Sequence, residues 1–559
     1  MKTFTRKFVL LLLVCMAVSI ARAETRADAE KDPVLKAMLT ELDRSATRLK
    51  LENYFKPFFI QYMLDDVESY EVGAEYGALV SNDATHQRRI NVVVRVGDAT
   101  TDSSGPQGDG YTSTAVLEDD PIGLRTSLWW ASDNAYKAAL REYSQKLAKL
   151  EQLQTPPQAK DFSVEKPVIH LEPVKRLSYD EKVWPERITE LSGLYRSSPE
   201  LKNAGVDPGN FQSSSADLTG RALTRYIVNS EGTIVRKSDE NYREVVSVAG
   251  QTDDGMEVDR FTSTLGASIA ELEAPETFSR NVVKTLLQFD KLRTASIVTE
   301  EYHGPVLFSG KASSSVLEAL FVPGVLASRP ELGTEVRTNG PYASSLHTRV
   351  LPLAINVTDD PQLTSWEGKT LLGSYAVDDE GVPAESVELV EAGKLEGYLM
   401  DRQPIRDFPG SNGHGRTGLS TPVHTSVAVL RVTARDGMTD EQLKARLKKA
   451  MEENGLDHAY VVERASSNLT PDLLYRVDGE GNRTLVRGAS LDDLDQRALR
   501  SGILAAGSEL TVNNSTGDVP TTVLTPELLF GDVTVKRATD KNNKLPYYPS
   551  PLEDLRATK

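Results

Sequence analysis

The stretch from Tyr302 to Gly324, YHGPVLFSGKASSSVLEALFVPG, decides the fold of this chain. It opens with a short apolar run over 306–308, after which Ser309-Gly310 turns the chain. Apolar residues then recur at helical spacing from Lys311 to Phe321, and Pro323-Gly324 ends the pattern. The sequence therefore predicts a strand, a tight turn and a helix in direct succession.

Leu317 to Val322, LEALFV, forms the end of this predicted helix. The segment resembles the one that carries the zinc motif H-E-x-x-x-H in the TldD/PmbA (TldD/TldE) family of metalloproteases. Leu317 and Val322 stand at the two histidine positions, and Glu318 stands at the glutamate position. The family's remaining ligand is a cysteine in the C-terminal domain, whereas the only cysteine here is Cys15. The resemblance therefore implies a degenerate motif, similar to that of the inactive TldE/PmbA-type subunit.

Two interpretations of Glu318 follow from this motif. A catalytic zinc needs about three nitrogen, sulfur or oxygen ligands and an open position for water, which one carboxylate does not supply. The simpler interpretation is a core helix whose apolar residues fill the space that a metal occupies in relatives. The other keeps Glu318 as a general base for a different ion. We therefore expect no metal in this chain, and zinc only in an active partner.

The segment Met1 to Ala23 has the pattern of a secretory signal peptide. Basic residues precede an apolar run from Phe8 to Ile20, and Ala21-Arg22-Ala23 gives an A-x-A cleavage pattern. The apolar run is too short for a membrane anchor, and Cys15 lies mid-run, where a lipoprotein signal would not place it. The sequence thus predicts a secreted or periplasmic protein with no membrane contact after cleavage.

The net charge and the cysteine content argue against a nucleic-acid partner and against disulfide bonds. The chain carries a formal net charge of −17, and removal of Met1 to Ala23 would make it more acidic. Such a surface repels nucleic-acid phosphates, so no nucleic-acid partner is expected. The remaining chain contains no cysteine and therefore no disulfide.

Residues 24–205 are expected to form a mixed α/β N-terminal domain. Its predicted elements are a helix capped by Asp32 with Pro33 in its first turn, strands over 58–63, 70–79 and 90–96 with a turn at Ser81-Asn82-Asp83, and a helix over 128–153. Trp184-Pro185 introduces another helix, and no chemistry is recognised in 155–205.

Residues 206–300 are predicted to be a strand-rich segment with a linking helix over 274–292. Turns are expected at 230–232 and 253–255, and both resemble family signatures. Asp253 and Asp254 could be calcium ligands, but two acids in a hairpin turn are ordinarily turn formers.

Residues 301–559 are predicted to be a mostly β domain of TldD/PmbA type. The resemblance extends to Asp378-Asp379-Glu380-Gly381, the 388–397 hairpin, Asp401-Arg402, SNGHGRTG at 411–418 and the closing segment TVLTPELLFGDVTVKR. Further predicted elements are strands over 348–357, 474–477, 484–487 and 522–524, and a helix over 439–454 with a capping box.

Other catalytic templates find little support. His414 and His424 have no third partner at ligand spacing, and the chain has no G-x-S-x-G elbow, P-loop, Rossmann fingerprint or C-x-x-C. A serine triad is a spatial arrangement that sequence does not reveal.

The sequence thus indicates an α+β protein of the TldD/TldE type. The resemblance implies a metallopeptidase-family chain that is inactive alone and acts as a non-catalytic subunit beside a zinc-bearing TldD-like relative, on peptides or unfolded proteins. An autonomous peptidase with a different metal site, and a homodimeric periplasmic binding or scaffold protein, remain the alternatives.

Overall fold

The computed structural model describes residues 24–105, 110–153, 156–419, 421–539 and 550–552. The signal-peptide prediction for Met1 to Ala23, with Cys15, lies outside these residues. The helices are α1 Arg26–Ala29, α2 Pro33–Arg48, α3 Pro121–Gln152, α4 Val183–Ser197, α5 Pro199–Asn203, α6 Pro275–Thr294, α7 Gly310–Leu320, α8 Val322–Val325 and α9 Asp440–Glu453.

The strands begin in two long hairpins and continue as shorter elements. Up to residue 300 they are β1 Pro57–Glu75, β2 Ala78–Val96, β3 Tyr111–Thr114, β4 Ile169–Leu171, β5 Ser213–Asn229, β6 Ile234–Gln251, β7 Glu257–Gly266 and β8 Ser296–Ile297. Beyond residue 300 they are β9 Tyr302–Phe308, β10 Ile355–Asp359, β11 Ser365–Trp366, β12 Lys369–Thr370, β13 Val387–Glu391, β14 Lys394–Leu395, β15 Gly415–Arg416, β16 His424–Thr425, β17 Val429–Ala434, β18 His458–Ala465, β19 Pro471–Asp478, β20 Arg483–Arg487, β21 Ala489–Asp492, β22 Ile503–Ala506, β23 Thr511–Ser515, β24 Thr521–Thr525 and β25 Leu528–Arg537.

One sheet joins the predicted N-terminal and central segments. Its order is β3-β2-β1-β5-β6-β4, with β7 also paired to β6. Because β1 pairs with β5 along fifteen residues, from Gln61 opposite Asn229 to Glu75 opposite Ser215, the sheet runs across residue 205. One face of β1 packs on α2 and α3 through Ile60, Tyr62 and Leu64.

The turn between β1 and β2 is not at Ser81-Asn82-Asp83, where the sequence predicted it. The chain reverses at Tyr76-Gly77, both with positive φ (52° and 82°), and Ser81-Asn82-Asp83 lies within β2. Two positive φ values give the turn whose twist matches paired strands, and glycine takes such a conformation without strain. The predicted three strands are therefore two strands of nineteen residues each.

The C-terminal part contains a six-stranded sheet, β14-β13-β10-β17-β24-β23, and an eight-stranded sheet, β21-β25-β9-β18-β19-β20-β8 with β22 paired to β25. Strand β9 lies between β25 and β18, and α7 follows it directly, as predicted from the sequence. The predicted 348–357 strand is shorter and later, at Ile355–Asp359. Helices and sheets are combined throughout, which confirms the α+β class.

Helix ends follow the sequence signals where these are local. The Asp32 carboxylate accepts hydrogen bonds from the backbone N–H groups of Val34 and Leu35, and Thr439 with Gln442 forms the predicted capping box. Helix α3 begins at Pro121, seven residues before its predicted start, because Asp120 caps it in the same way. No helix among the described residues is long and apolar enough to cross a membrane.

Candidate functional site

The helix that the zinc motif would occupy is part of the C-terminal core. Leu317 is 1% exposed, and Val322 is partly buried against the same cluster of apolar side chains. The helix is interrupted at Phe321, so Leu317 lies in α7 and Val322 begins α8. Both side chains are hydrocarbon and pack with their neighbours, so neither position provides a metal ligand.

Glu318 lies on the outer side of α7 and is exposed. Ser314 Oγ donates a hydrogen bond to its Oε1 at 3.0 Å. Although the side chain is exposed, the protein around its carboxyl displaces part of the water there and raises its pKa, and the Ser314 hydrogen bond offsets part of that rise. Leu317, Glu318 and Val322 line neither the 260 Å³ cavity described below nor the two smaller cavities of about 80 and 30 Å³.

The donor set does not fit zinc. Within the described residues, no group of three or more His, Cys, Asp and Glu side chains is arranged to hold a metal ion. His414 is fully buried with its Nε2 3.3 Å from Asp359 Oδ1, whereas His424 is exposed. Asp253 and Asp254 form ion pairs with Arg293 and Arg487, as expected of turn residues.

Four of the other recognised motifs, at 230–232, 378–381, 401–402 and 411–418, come together where the first sheet meets the C-terminal domain. Gly381, at φ +78°, packs so tightly against Thr233 that a Cβ would lie 2.6 Å from the threonine methyl. Arg402 is 1% exposed and donates to the carbonyl of Ser163 and to Glu231 in the 230–232 turn. Motifs far apart in sequence thus form a single joint.

Asp379 is the centre of a buried ion cluster in this joint. Its carboxylate contacts Arg225 Nη1 at 2.9 Å, Lys237 Nζ at 2.5 Å and Arg416 Nε at 3.4 Å, and accepts a hydrogen bond from Thr417 N at 2.8 Å. Burial alone would raise the pKa of the Asp379 carboxyl, but the three cations hold it well below its usual range. Asp379 is therefore a permanent anion that ties the two parts of the chain together.

Three further acids lie beside this cluster. Burial raises the pKa of Asp378 to about 7, with a contribution from Glu380, and that of Asp401 to about 6. Burial and the neighbouring Asp401 raise the pKa of Glu380 to about 8. Burial thus favours the neutral form of the Glu380 carboxyl, whose Oε2 accepts a hydrogen bond from Arg402 N at 2.7 Å.

A cavity of about 260 Å³ opens next to Glu380. Its floor is the face of β1 opposite to α2 and α3, carrying Phe59, Gln61, Met63 and Asp65. Its other walls come from β2, Phe162, Glu380, Arg402 and the segments 417–419 and 421–423. It is larger than two other cavities, of about 80 and 30 Å³, and its lining mixes aromatic and aliphatic side chains with charged, amide and hydroxyl groups.

Sequence reasoning did not identify this cavity. The one local signal is Gln61, a polar residue between apolar neighbours in a predicted strand. The opposing wall comes from residues more than 300 positions later, and only the folded chain brings the two together.

This chain is similar to known proteins in the sequence of its C-terminal domain and in its fold. Residues 299–537 match the family model described as the PmbA/TldA metallopeptidase C-terminal domain. TldE from Thermococcus kodakarensis has a similar structure, with a TM-score of 0.58 and 14% identity over 89% of this chain and 100% of that one. No curated protein matches the sequence closely enough to be counted as a relative.

Two further solved structures are similar. A candidate modulator of a DNA gyrase from Thermotoga maritima has a TM-score of 0.58 and 14% identity over 89% of this chain and 99% of that one. Its counterpart from Bacteroides thetaiotaomicron has a TM-score of 0.56 and 12% identity over 92% and 99% of the two chains. Residues 299–537 therefore form a domain of the PmbA/TldA metallopeptidase type, and the chain has a fold similar to that of TldE over most of its length.

Proposed function

We propose that this chain is a non-catalytic subunit of an exported peptide-processing assembly, in which a zinc-bearing TldD-like relative supplies the catalytic site. One observation carries the proposal: the two histidine positions of the family motif hold Leu317 and Val322, which pack into the core. A hydrocarbon side chain has no donor atom for a metal, so neither position can supply a zinc ligand.

An open strand edge supports a role in handling extended chains. Strand β2 pairs with β3 from Arg89 to Val92, and Ala115 N donates to Arg88 O, so the stretch Ala78–Gln87 has one side unpaired with any strand that the structure describes. Free backbone N–H and C=O groups on an edge can pair with an added strand. We propose that an extended peptide or a partner strand aligns there.

The test is to purify the processed protein alone and together with a zinc-bearing relative of the same organism. Metal content by elemental analysis and cleavage of an unfolded protein are measured for each preparation. We expect no stoichiometric zinc and no cleavage for the chain alone, and stable association with cleavage for the pair.

Two other results would each support one of the alternative functions. Stoichiometric zinc or cleavage by the chain alone would indicate an autonomous peptidase. A chain that forms homodimers and ignores every zinc-bearing relative would indicate a binding or scaffold protein. Either result refutes the proposed role.

A further inference from the structure

A second cavity, of about 80 Å³, shares the segment 417–419 with the 260 Å³ cavity but lies over different strands. Its floor is one face of β5 and β6, with Leu223 opposite Asp239 and Arg225 opposite Lys237. Two cations are thus direct cross-strand neighbours, an arrangement that is destabilising unless an anion compensates for it.

Asp379 supplies part of that compensation. It contacts Arg225, Lys237 and Arg416, and Arg225 also pairs with Asp65. Each of these five side chains is at most 14% exposed. Three buried cations therefore meet two buried carboxylates, so the buried end of the cavity has one positive charge in excess. An unmatched buried charge is strongly destabilising.

The other acids near the cavity offset this excess only weakly. Asp239 is half-exposed and Asp518 is exposed, so solvent screens both charges. Glu172 pairs with His170 at 3.0 Å, and this hydrogen bond raises the pKa of the imidazole. Asp378 does not line the cavity, and burial raises its pKa to about 7. The buried positive charge is therefore available to an anionic ligand.

Three basic side chains that line this cavity also have N–H donors to spare. Arg416 is 7% exposed, and its Nη1 has no hydrogen-bond partner among the described residues. The same is true of the buried Nε of Arg221. Lys237 Nζ has three donors, of which one reaches the Val377 carbonyl at 2.8 Å and one reaches Asp379 at 2.5 Å. Buried donors are nearly always paired in native proteins.

We propose that the second cavity binds one small oxyanion, either phosphate or a carboxylate group, held by Arg221, Lys237 and Arg416. Guanidinium N–H groups match the oxygens of both anions in geometry and in charge. At about 30 Å³ per water the cavity has room for roughly two or three waters, which suits one such group. The bound anion joins the first sheet to the C-terminal domain beside Asp379. The inference is independent of the proposed role in peptide processing.

The test measures anion binding to the full chain by isothermal titration calorimetry. Sodium phosphate and sodium acetate are the two probes, each titrated into a chloride buffer of constant ionic strength. We expect one anion to bind per chain. Arg221→Gln should weaken binding about tenfold, since one hydrogen bond to a charged group is worth at least about a factor of ten. Arg221 is chosen because its side chain is 20% exposed and contacts Asp239 only at 3.6 Å, so its replacement leaves the contacts of Asp379 in place.

Arg243→Gln is the matched control, because it removes the same charge from the same sheet at a residue that does not line the cavity. This variant should bind the anion as the unmodified chain does. Binding of phosphate but not acetate supports a phosphate ligand, and tighter binding of acetate supports a carboxylate ligand. No saturable binding of either probe up to about 50 mM, or equal affinities of the Arg221→Gln and Arg243→Gln variants, would overturn the inference.

Discussion

Replacing Asp379 with asparagine should weaken the joint between the first sheet and the C-terminal domain. The substitution leaves Thr417 N with an oxygen to donate to, and Arg225 keeps its two hydrogen bonds to Asp65. Lys237 and Arg416 lose their carboxylate in a buried setting. Removing one partner of a buried ion pair typically costs about 3–5 kcal/mol.

Two features favour the lower end of that range. Burial already lowers the pKa of Lys237, with Asp379 opposing it, so the lysine can lose its proton once the carboxylate is gone. Arg416 cannot, but its guanidinium stacks over the Tyr375 ring at 4.1 Å. We therefore expect Asp379→Asn to lower the free energy of unfolding by about 3 kcal/mol.

Urea unfolding, followed by circular dichroism, measures this change. Asp239→Asn is the control, because Asp239 is on the same sheet, is half-exposed and contacts Arg221 only at 3.6 Å, so its loss should cost within about 0.5 kcal/mol. The double variant Lys237→Met with Asp379→Asn should lose less than the two single changes together. An Asp379→Asn protein as stable as the Asp239→Asn control would refute the account of the joint.

Four other predictions follow. Glu318→Gln should leave any peptidase activity of the assembly unaltered and change the free energy of unfolding by no more than about 0.5 kcal/mol. Leu317→His combined with Val322→His should not create zinc-dependent cleavage, because no cysteine ligand is present. Peptidase assays decide both predictions. The pKa values of Asp378, Glu380 and Asp401 are raised, so the folded state keeps protons that the unfolded chain releases. The free energy of unfolding should therefore fall as pH rises from about 4 to about 8. Glu380→Gln should make this fall less steep. Gln61→Leu should raise the melting temperature, because Gln61 is 5% exposed and no described residue hydrogen-bonds its side chain, whereas Gln251→Leu should not. Mass spectrometry of the native protein should find Glu24 as the first residue, and an intact Met1 would contradict export.

Local signals in the sequence predicted local structure well. The capped starts at Asp32 and Thr439 and the turn before α7 depend on residues within one or two helical turns, and these features are where the sequence placed them. The Tyr76-Gly77 reversal was missed because Ser81-Asn82-Asp83 has the more familiar turn composition. In the structure, continuous pairing with β1 keeps those three residues extended.

The joint and the cavity depend on non-local contacts. The motifs around Asp379, Arg402 and Glu231 were visible as resemblances, but nothing in their spacing indicated that they meet. Gln61 had no recognisable signal beyond its polarity, because its meaning comes from the register of β1 on β2 and from a wall supplied by the C-terminal domain. Sequence patterns report periodicity along an element and do not report which element covers it.

The central place of β1 in its sheet has a consequence for the order in which the chain can fold. Gln61 pairs with Asn229, so β1 waits for a strand made 168 residues later in synthesis. In the C-terminal sheet, β9 likewise waits for β25, whose pairing closes with Leu528 opposite Phe308. Contacts this distant in sequence slow folding, and until they form each early strand exposes an unpaired edge. The first sheet can therefore be completed only after residue 266 has been made, and a truncation before residue 528 leaves β9 without β25, one of its two neighbours in the C-terminal sheet.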